Sequence, residues 1–268
     1  MIRPRLVLLL LGLLQALGVE SLRGERPAEL SPCTVEGVEG GARCGTYEVF
    51  EDREAHSGRR IPLKIVVLPA IGAERQPDPL FIFAGGPGQA ATENVRFIAR
   101  TFAPVRRARD IVLVDQRGTG GSNGLGCDLY GTRVQDQLGD LLPIEAIRRC
   151  AEEWQTRANL RFYTSEIAMA DLDEVRDALG YERINIFGTS YGTRTAQVFM
   201  RQFPERVRSV IMKGVTPITA PLTVAMARDA QRSLDLLFED CAADPSCAGA
   251  FPKLKDEFGT AWERLEEG

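Results

Sequence analysis

The stretch Arg183-Ile-Asn-Ile-Phe-Gly-Thr-Ser-Tyr-Gly-Thr193 constrains this chain more than any other. A short apolar run passes directly into Gly188-x-Ser190-x-Gly192 and then into a helical pattern. A serine hydroxyl is a weak nucleophile at its free pKa. A chain that uses one must present it on a sharp turn, within reach of a base and with backbone N–H groups facing the developing oxyanion. A strand that turns into a helix across Gly-x-Ser-x-Gly is such a device, the nucleophile elbow, and the flanking glycines let strand and helix come close together. The motif alone is not selective, since Gly120-Gly-Ser122-Asn-Gly124 matches it as well. That second match has no strand immediately before it and no helical pattern after it. Ser190 is therefore the candidate nucleophile, and Ser122 is set aside.

The same sequence withholds a base. His56 is the single histidine in 268 residues and lies far upstream, whereas in chains built on this elbow the acid and the histidine follow the serine. Set in a charged turn of Asp, Arg, Ser and Gly, His56 reads as a solvated loop residue.

Composition bounds the remaining possibilities. With 44% apolar and 26% charged residues the chain can bury a sizeable core, enough for one large domain and part of a second. The 37 acidic and 33 basic side chains are interspersed, so nothing resembles the basic footprint of a nucleic-acid partner. Residues 1–18 carry Arg3 and Arg5, an apolar run and then Ala16-Leu17-Gly18, the layout of a secretory signal peptide. The stretch from Leu6 to Gly18 falls short of the roughly 20 residues that a spanning helix needs, so no stable membrane span is expected after cleavage. The six cysteines form three neighbouring pairs in sequence, which suits an oxidising compartment, periplasmic or extracellular. Pairing neighbours gives Cys33–Cys44, Cys127–Cys150 and Cys241–Cys247, although six cysteines permit many other connectivities. None shows Cys-x-x-Cys spacing or a histidine close by, so no metal or other cofactor is expected.

Along the chain, residues 46–50 and 61–68 read as strands joined by the turn that holds His56. Residues 80–83 and 111–114 are short continuous apolar runs, the mark of strands buried on both faces in a parallel sheet. Ala168, Leu172, Val175 and Leu179 recur at helical spacing ahead of Gly180; residues 184–187 form the strand before the elbow. Residues 193–203 are helical up to Pro204, and residues 209–212 form a sixth strand. Strands alternating with helices argue an α/β fold with right-handed crossovers. From Thr216-Pro217 onward the pattern is helical: residues 222–240, a loop closed by Cys241 and Cys247, then residues 254–267. Residues 19–216 are thus read as the core and 217–268 as the start of a helical lid.

Two loops flank this framework. Ala84-Gly85-Gly86-Pro87-Gly88 follows one strand, where bare backbone N–H groups can approach a substrate oxygen. Asp115-Gln116-Arg117-Gly118-Thr119-Gly120 follows the next and reads as a charge pair that ties loops together, with no chemistry assigned. These two loops, Asp171-Leu-Asp-x-Val-Arg-x-Ala-Leu-Gly180 ahead of Gly-Thr-Ser-Tyr-Gly-Thr193, and Phe203-Pro-Glu-Arg-Val207, taken in order, resemble the prolyl iminopeptidase and tripeptidyl aminopeptidase branch of the α/β-hydrolases. Cys241-Ala-Ala-Asp-Pro-Ser-Cys247 followed by Phe251-Pro252 is similar to the early lid of the secreted tripeptidyl members.

The resemblance implies a mostly parallel sheet with flanking helices, Ser190 as nucleophile, and an oxyanion hole formed by the backbone N–H groups of Gly86 and Tyr191. The family's acid and histidine lie after the lid, and no positions in this sequence correspond to them. The implied fold is therefore C-terminally incomplete and the chain by itself inactive. Ala84 stands where prolyl iminopeptidases carry histidine, which favours the tripeptidyl side. Lys213 stands where an aspartate is common, which puts local polar packing in question. The implied substrate is a peptide, with a small ester or amide as the alternative because both pass through the same tetrahedral oxyanion. A non-catalytic hydrolase-fold protein is the rival from another class. The sequence leaves the oligomeric state open.

Overall fold

In a computed structural model the described residues are 27–137, 139–140 and 142–266. The signal-like leader at 1–18 and Glu267 lie outside them. The chain divides into two compact units, one ending at Ile218 and the other beginning at Thr219.

The first unit is built on one sheet. Its strands are β1 (Leu30–Cys33), β2 (Ala42–Phe50), β3 (Arg60–Leu68), β4 (Leu80–Phe83), β5 (Ile111–Val114), β6 (Ile184–Thr189) and β7 (Val207–Lys213). They lie side by side in the order β1-β2-β3-β5-β4-β6-β7. β1–β2, β2–β3 and β3–β5 pair antiparallel, while β5–β4, β4–β6 and β6–β7 pair parallel. The sheet is therefore mixed. The run Ile-Val-Leu-Val of β5 has one neighbour of each kind, so what it records is burial on both faces rather than strand direction.

Helices cover both faces. Of this unit's helices α1 (Val95–Thr101), α2 (Ala103–Arg106), α3 (Val134–Gln137), α4 (Ile144–Gln155), α5 (Ser165–Ala178) and α6 (Tyr191–Gln202), α1 and α2 pack on one face and α5 and α6 on the other. Because side chains alternate along a strand, Phe81, Phe83, Val112 and Val114 point to one face, where they pack with Met169, Leu172 and Val175 of α5 and Phe199 of α6. Leu80, Ile82, Ile111 and Leu113 point to the other, against Ala91 and Ile98. Strand direction then fixes where β4, β5, β6 and β7 end: these four parallel strands run toward one edge, the usual place for a ligand site in an α/β sheet.

Several elements escaped the sequence reading. β1, with the sequence Leu-Ser-Pro-Cys, has no apolar run and contains a proline; it is an edge strand paired with β2. The disulfide Cys33–Cys44 bonds it to that neighbour, with Cα atoms 5.8 Å apart. α4 has no buried residue, so burial does not mark it, and Cys150 on it bonds Cys127 with Cα atoms 6.0 Å apart.

The second unit consists of α7 (Leu222–Ala243), α8 (Pro245–Ala250) and α9 (Leu254–Glu266). The expected loop between Cys241 and Cys247 is instead mostly helix. Cys241 belongs to α7, Cys247 belongs to α8, and the two are bonded across Cα atoms 5.1 Å apart. Asp244 caps α8 by accepting the Cys247 N–H at 2.7 Å, and Pro245 fits the first helical position. Phe238 and Phe258 meet edge to face with ring centres 5.6 Å apart, joining α7 to α9. Among the described residues no helix is long and apolar enough to cross a membrane.

Candidate active site

Ser190 occupies the corner between β6 and α6 with φ 52° and ψ −121°, a conformation that non-glycine residues rarely adopt. Such strain costs of order 1–3 kcal/mol and persists only where the surroundings over-determine it. Here they do. The Ser190 N–H donates to the Lys213 carbonyl on β7 at 3.0 Å, and the Ser190 carbonyl accepts from the Thr193 N–H at 2.9 Å and the Thr193 hydroxyl at 2.7 Å. The strand and the helix are also pressed together. A Cβ on Gly192 would run into the carbonyl oxygens of Phe83 and Ala84, so only glycine lets α6 cross the end of β4 this closely. Lys213, noted as a departure in sequence, supports the elbow through its backbone carbonyl, which any residue supplies.

The loop after β4 reaches the same place. Phe83 pairs with Gly188 in the parallel β4–β6 register, so residues 84–86 run on beside the elbow. A Cβ on Gly85 would sit 3.4 Å from the Ser190 Cβ and 3.3 Å from the Thr189 carbonyl oxygen. Gly86 is exposed, with φ 102°, left-handed backbone that a residue with a side chain would resist. Tyr191 is the first residue of α6, and the N–H groups of a helix's first turn have no intrahelical acceptor. They also carry the positive end of the helix dipole. Ser190 is itself exposed, so serine, glycine loop and helix N-terminus share one accessible strand edge.

The supports lie behind this edge. Asp115, fully buried after β5, accepts from the Thr92 N–H at 2.9 Å, the Thr92 hydroxyl at 3.0 Å and the Gly121 N–H at 3.1 Å. Arg117 grips Asp171 of α5 through Nε at 2.6 Å and Nη2 at 2.8 Å, and donates to the carbonyls of Glu51 and Phe162. Arg53 of the β2–β3 hairpin adds a bond to the same carboxylate at 2.8 Å. Tyr163, whose hydroxyl burial pushes up to about 12, donates to Glu51 and accepts from Asn123. Asp115 and Arg117, read in the sequence as a charge pair that ties loops together, instead bond to different partners: Asp115 to the Thr92 and Gly121 segments, Arg117 to α5 and to two backbone carbonyls.

Ser122 is fully buried. Its hydroxyl donates to the Asp115 carbonyl at 2.7 Å and accepts the Lys64 N–H at 2.9 Å, so the second Gly-x-Ser-x-Gly is a structural turn.

His56 requires a correction. Coming between the first two strands read from the sequence, its turn is expected to lie away from the carboxyl ends of the strands, where Ser190 must sit. Because β3 runs antiparallel to β5, with the Lys64 carbonyl accepting the Asp115 N–H, the residues before Lys64 extend past the end of β5. The hairpin therefore rises at the same edge as Ser190. Two strands, β5 and β4, still separate β3 from β6, a lateral distance of roughly 14 Å at normal strand spacing. His56 packs edge-on against Phe50, with ring centres 6.2 Å apart, and among the described residues it makes no hydrogen bond to Ser190. A cavity of about 590 Å³ beside it is lined by Tyr47, Phe50, Arg53 and Glu174 but not by Ser190. Its inner charges are spent on one another, as in the Arg53–Glu174 pair at 2.7 Å.

Sequence reasoning missed two groups around the elbow. Thr193 stood in the quoted motif without a role. Ser165, whose hydroxyl is 2.7 Å from that of Tyr191, is 26 positions away in sequence and comes near only because α5 begins beside the end of β6.

A family profile described as the alpha/beta hydrolase fold matches residues 78–265, which covers all of this geometry except the β2–β3 hairpin. The chain belongs to the α/β-hydrolase fold family. This α/β-hydrolase chain is 29% identical over 272 residues to the serine protease Hip1 of Mycobacterium tuberculosis, matching 91% of this chain and 52% of that protein. It is also 29% identical over 191 residues to the tripeptidyl aminopeptidase of Streptomyces lividans, across 65% of this chain and 35% of that protein. It is 27% identical over 137 residues to a proline iminopeptidase of Xylella fastidiosa, across 51% and 32%. The chain spans about half the length of the Hip1 proteins it matches and a smaller share of the other two.

Proposed function

We propose that this chain carries the nucleophile of an exported serine hydrolase of aminopeptidase type, with Ser190 attacking the carbonyl of a peptide substrate. The observation that carries the reading is the strained, exposed Ser190 at the β6–α6 corner, with the Gly85-Gly86 loop of the neighbouring strand against it. The Ser190 oxygen adds to the scissile carbonyl, and the negative charge collects on the carbonyl oxygen. The Tyr191 and Gly86 N–H groups are its donors, since hydrogen bonds aimed at developing charge act on the transition state more than on the substrate. Collapse breaks the C–N bond as the base passes the proton taken from Ser190 to the departing amine, leaving an acyl-serine, which water then hydrolyses.

Attack requires loss of the Ser190 proton, and His56 lies across the sheet from it. We assign the base and its acid partner to polypeptide other than these 268 residues, in keeping with relatives of about twice the length. The names of those relatives, a serine protease, a tripeptidyl aminopeptidase and a proline iminopeptidase, favour peptide over ester substrates. Export is supported by the leader at 1–18 and by three disulfide pairs.

The test is hydrolysis of tripeptidyl, prolyl and simple ester chromogenic substrates by the protein encoded by the whole reading frame, with and without Ser190→Ala. Loss of turnover with Ser190→Ala supports the reading. Turnover that survives the substitution sinks it. A preference for esters would move the assignment to an esterase on the same fold.

A further inference from the structure

Ser165 opens α5, and its hydroxyl lies 2.7 Å from that of Tyr191, the residue after the elbow serine. The helix that carries it is anchored independently. Asp171, six residues on and roughly 9 Å along the axis, is held by Arg117 from the end of β5 and by Arg53 from the β2–β3 hairpin. α5 is therefore a strut fixed at its middle, with Ser165 at its N-terminal end hydrogen-bonded to the Tyr191 hydroxyl. Ser165 is not needed to start the helix, because the neighbouring Thr164 supplies the cap by accepting the Ile167 N–H.

We propose that Ser165 is a positioning residue which, through the Tyr191 hydroxyl, pins the peptide plane between Ser190 and Tyr191. The proposal rests on the reading of Ser190 as nucleophile. That plane carries the Tyr191 N–H, and its tilt follows from ψ of Ser190 and φ of Tyr191. The Ser190 N–H is held by the Lys213 carbonyl, and the plane's carbonyl edge, the Ser190 oxygen, accepts from Thr193. The tether to Ser165 fixes the other side. A residue strained at φ 52° relaxes when its neighbours allow it, and relaxation turns the N–H away from the oxyanion. The donor is used chiefly in the transition state, so its misalignment lowers kcat and spares KM.

The experiment compares Ser165→Ala, Ser165→Thr, Tyr191→Phe and the double variant Ser165→Ala/Tyr191→Phe in the protein encoded by the whole reading frame. It reads kcat, KM, melting temperature and hydrogen exchange of the segment spanning residues 188–193. Ser165→Ala and Tyr191→Phe should each lower kcat about tenfold, since a displacement near 1 Å at a site can cost a hundredfold. KM and melting temperature should hold, and Ser165→Thr should restore kcat. The double variant should be no worse than either single one, because both remove the same bond. Exchange in the elbow segment should quicken in both single variants. Wild-type kcat with unchanged exchange, or effects that multiply in the double variant, overturns the proposal. Ser190→Ala is the separate control. If it leaves turnover intact, the nucleophile reading falls, and the exchange measurement, which needs no activity, still decides whether Ser165 pins the elbow.

Discussion

The chain contains Gly-x-Ser-x-Gly twice, and the two copies are folded to opposite ends. At Gly120 to Gly124 the serine is fully buried, with its hydroxyl consumed between the Lys64 N–H and the Asp115 carbonyl. At Gly188 to Gly192 the serine is exposed on a strained corner, and its backbone, not its hydroxyl, makes the supporting bonds. The same five-residue pattern thus builds a turn in one place and presents a side chain in the other. What separates them is context: the strand before, the helix after, and a neighbouring strand whose loop closes on the corner. A serine that hydrogen bonds satisfy is unavailable for chemistry, whereas one whose main chain is fixed keeps its hydroxyl free.

The largest effect expected from this contrast is catalytic. In the protein encoded by the whole reading frame, Ser190→Ala should lower turnover by about 10⁴-fold or more, the scale on which loss of a serine nucleophile acts. The fold should persist, since the bonds that hold Ser190 among the described residues are made by its main chain. Ser122→Ala should leave turnover within about threefold and lower stability instead. Removing its hydroxyl strands the buried Asp115 carbonyl and deprives the Lys64 N–H of its acceptor, at about 1–3 kcal/mol by denaturant titration. An inactive but stable Ser122→Ala would reverse the assignment.

Next in size is the closeness of the elbow. Gly192→Ala places a methyl against the Phe83 and Ala84 carbonyls, backbone that cannot swing aside. Overpacking of this kind costs about 1–3 kcal/mol or more, and the melting temperature should fall by several degrees. Gly126→Ala, where an added Cβ meets nothing within 4 Å, should be silent. Equal tolerance at the two positions would mean that α6 is not wedged under β4 as described.

The contrast also shows what a sequence makes legible. The elbow could be found because all its determinants are consecutive: Ile184 to Thr189 is a strand and Tyr191 to Gln202 a helix, and Ser190 alone lies between them. Strands β4 and β5 were readable because burial on both faces leaves unbroken apolar runs. β1 was not, since its place depends on pairing with β2 rather than on its own residues. The direction of β3 against β5 was also invisible, and with it the height of the His56 hairpin, because strand order is a property of the whole sheet. Ser165 was missed for the same reason: a serine at a helix start looks like any other until α5 is laid beside β6. Contacts between remote segments set these features, and no local pattern records them.

The smallest effect separates the two regions by pH. Asp78 sits at the amino ends of the parallel strands, at the opposite edge from Ser190. It accepts from Asn185 Nδ2 of β6 at 2.7 Å, from Arg109 at 3.0 Å and from Arg208 of β7 at 3.1 Å. Burial works against its charge, but the Asn185 bond and the two guanidinium groups outweigh it and hold the carboxyl below the usual carboxylate range. A carboxyl depressed in the folded state binds protons more tightly when unfolded, so it stabilises the fold above its unfolded pKa of about 3.9. That contribution falls away as pH drops through the lower, folded value. Asp78→Asn should therefore be less stable than wild type at pH 6 by about 1.5–3 kcal/mol, the usual worth of a hydrogen bond to a charged group. The gap should narrow as the pH falls below about 4. Ser122→Ala removes a group that does not titrate, so its cost should stay constant over the same range. Urea titrations of the three proteins at pH 6, 4 and 3 distinguish the cases: a pH-independent gap for Asp78→Asn would show that the carboxylate's charge does not hold β4, β6 and β7 together at that end.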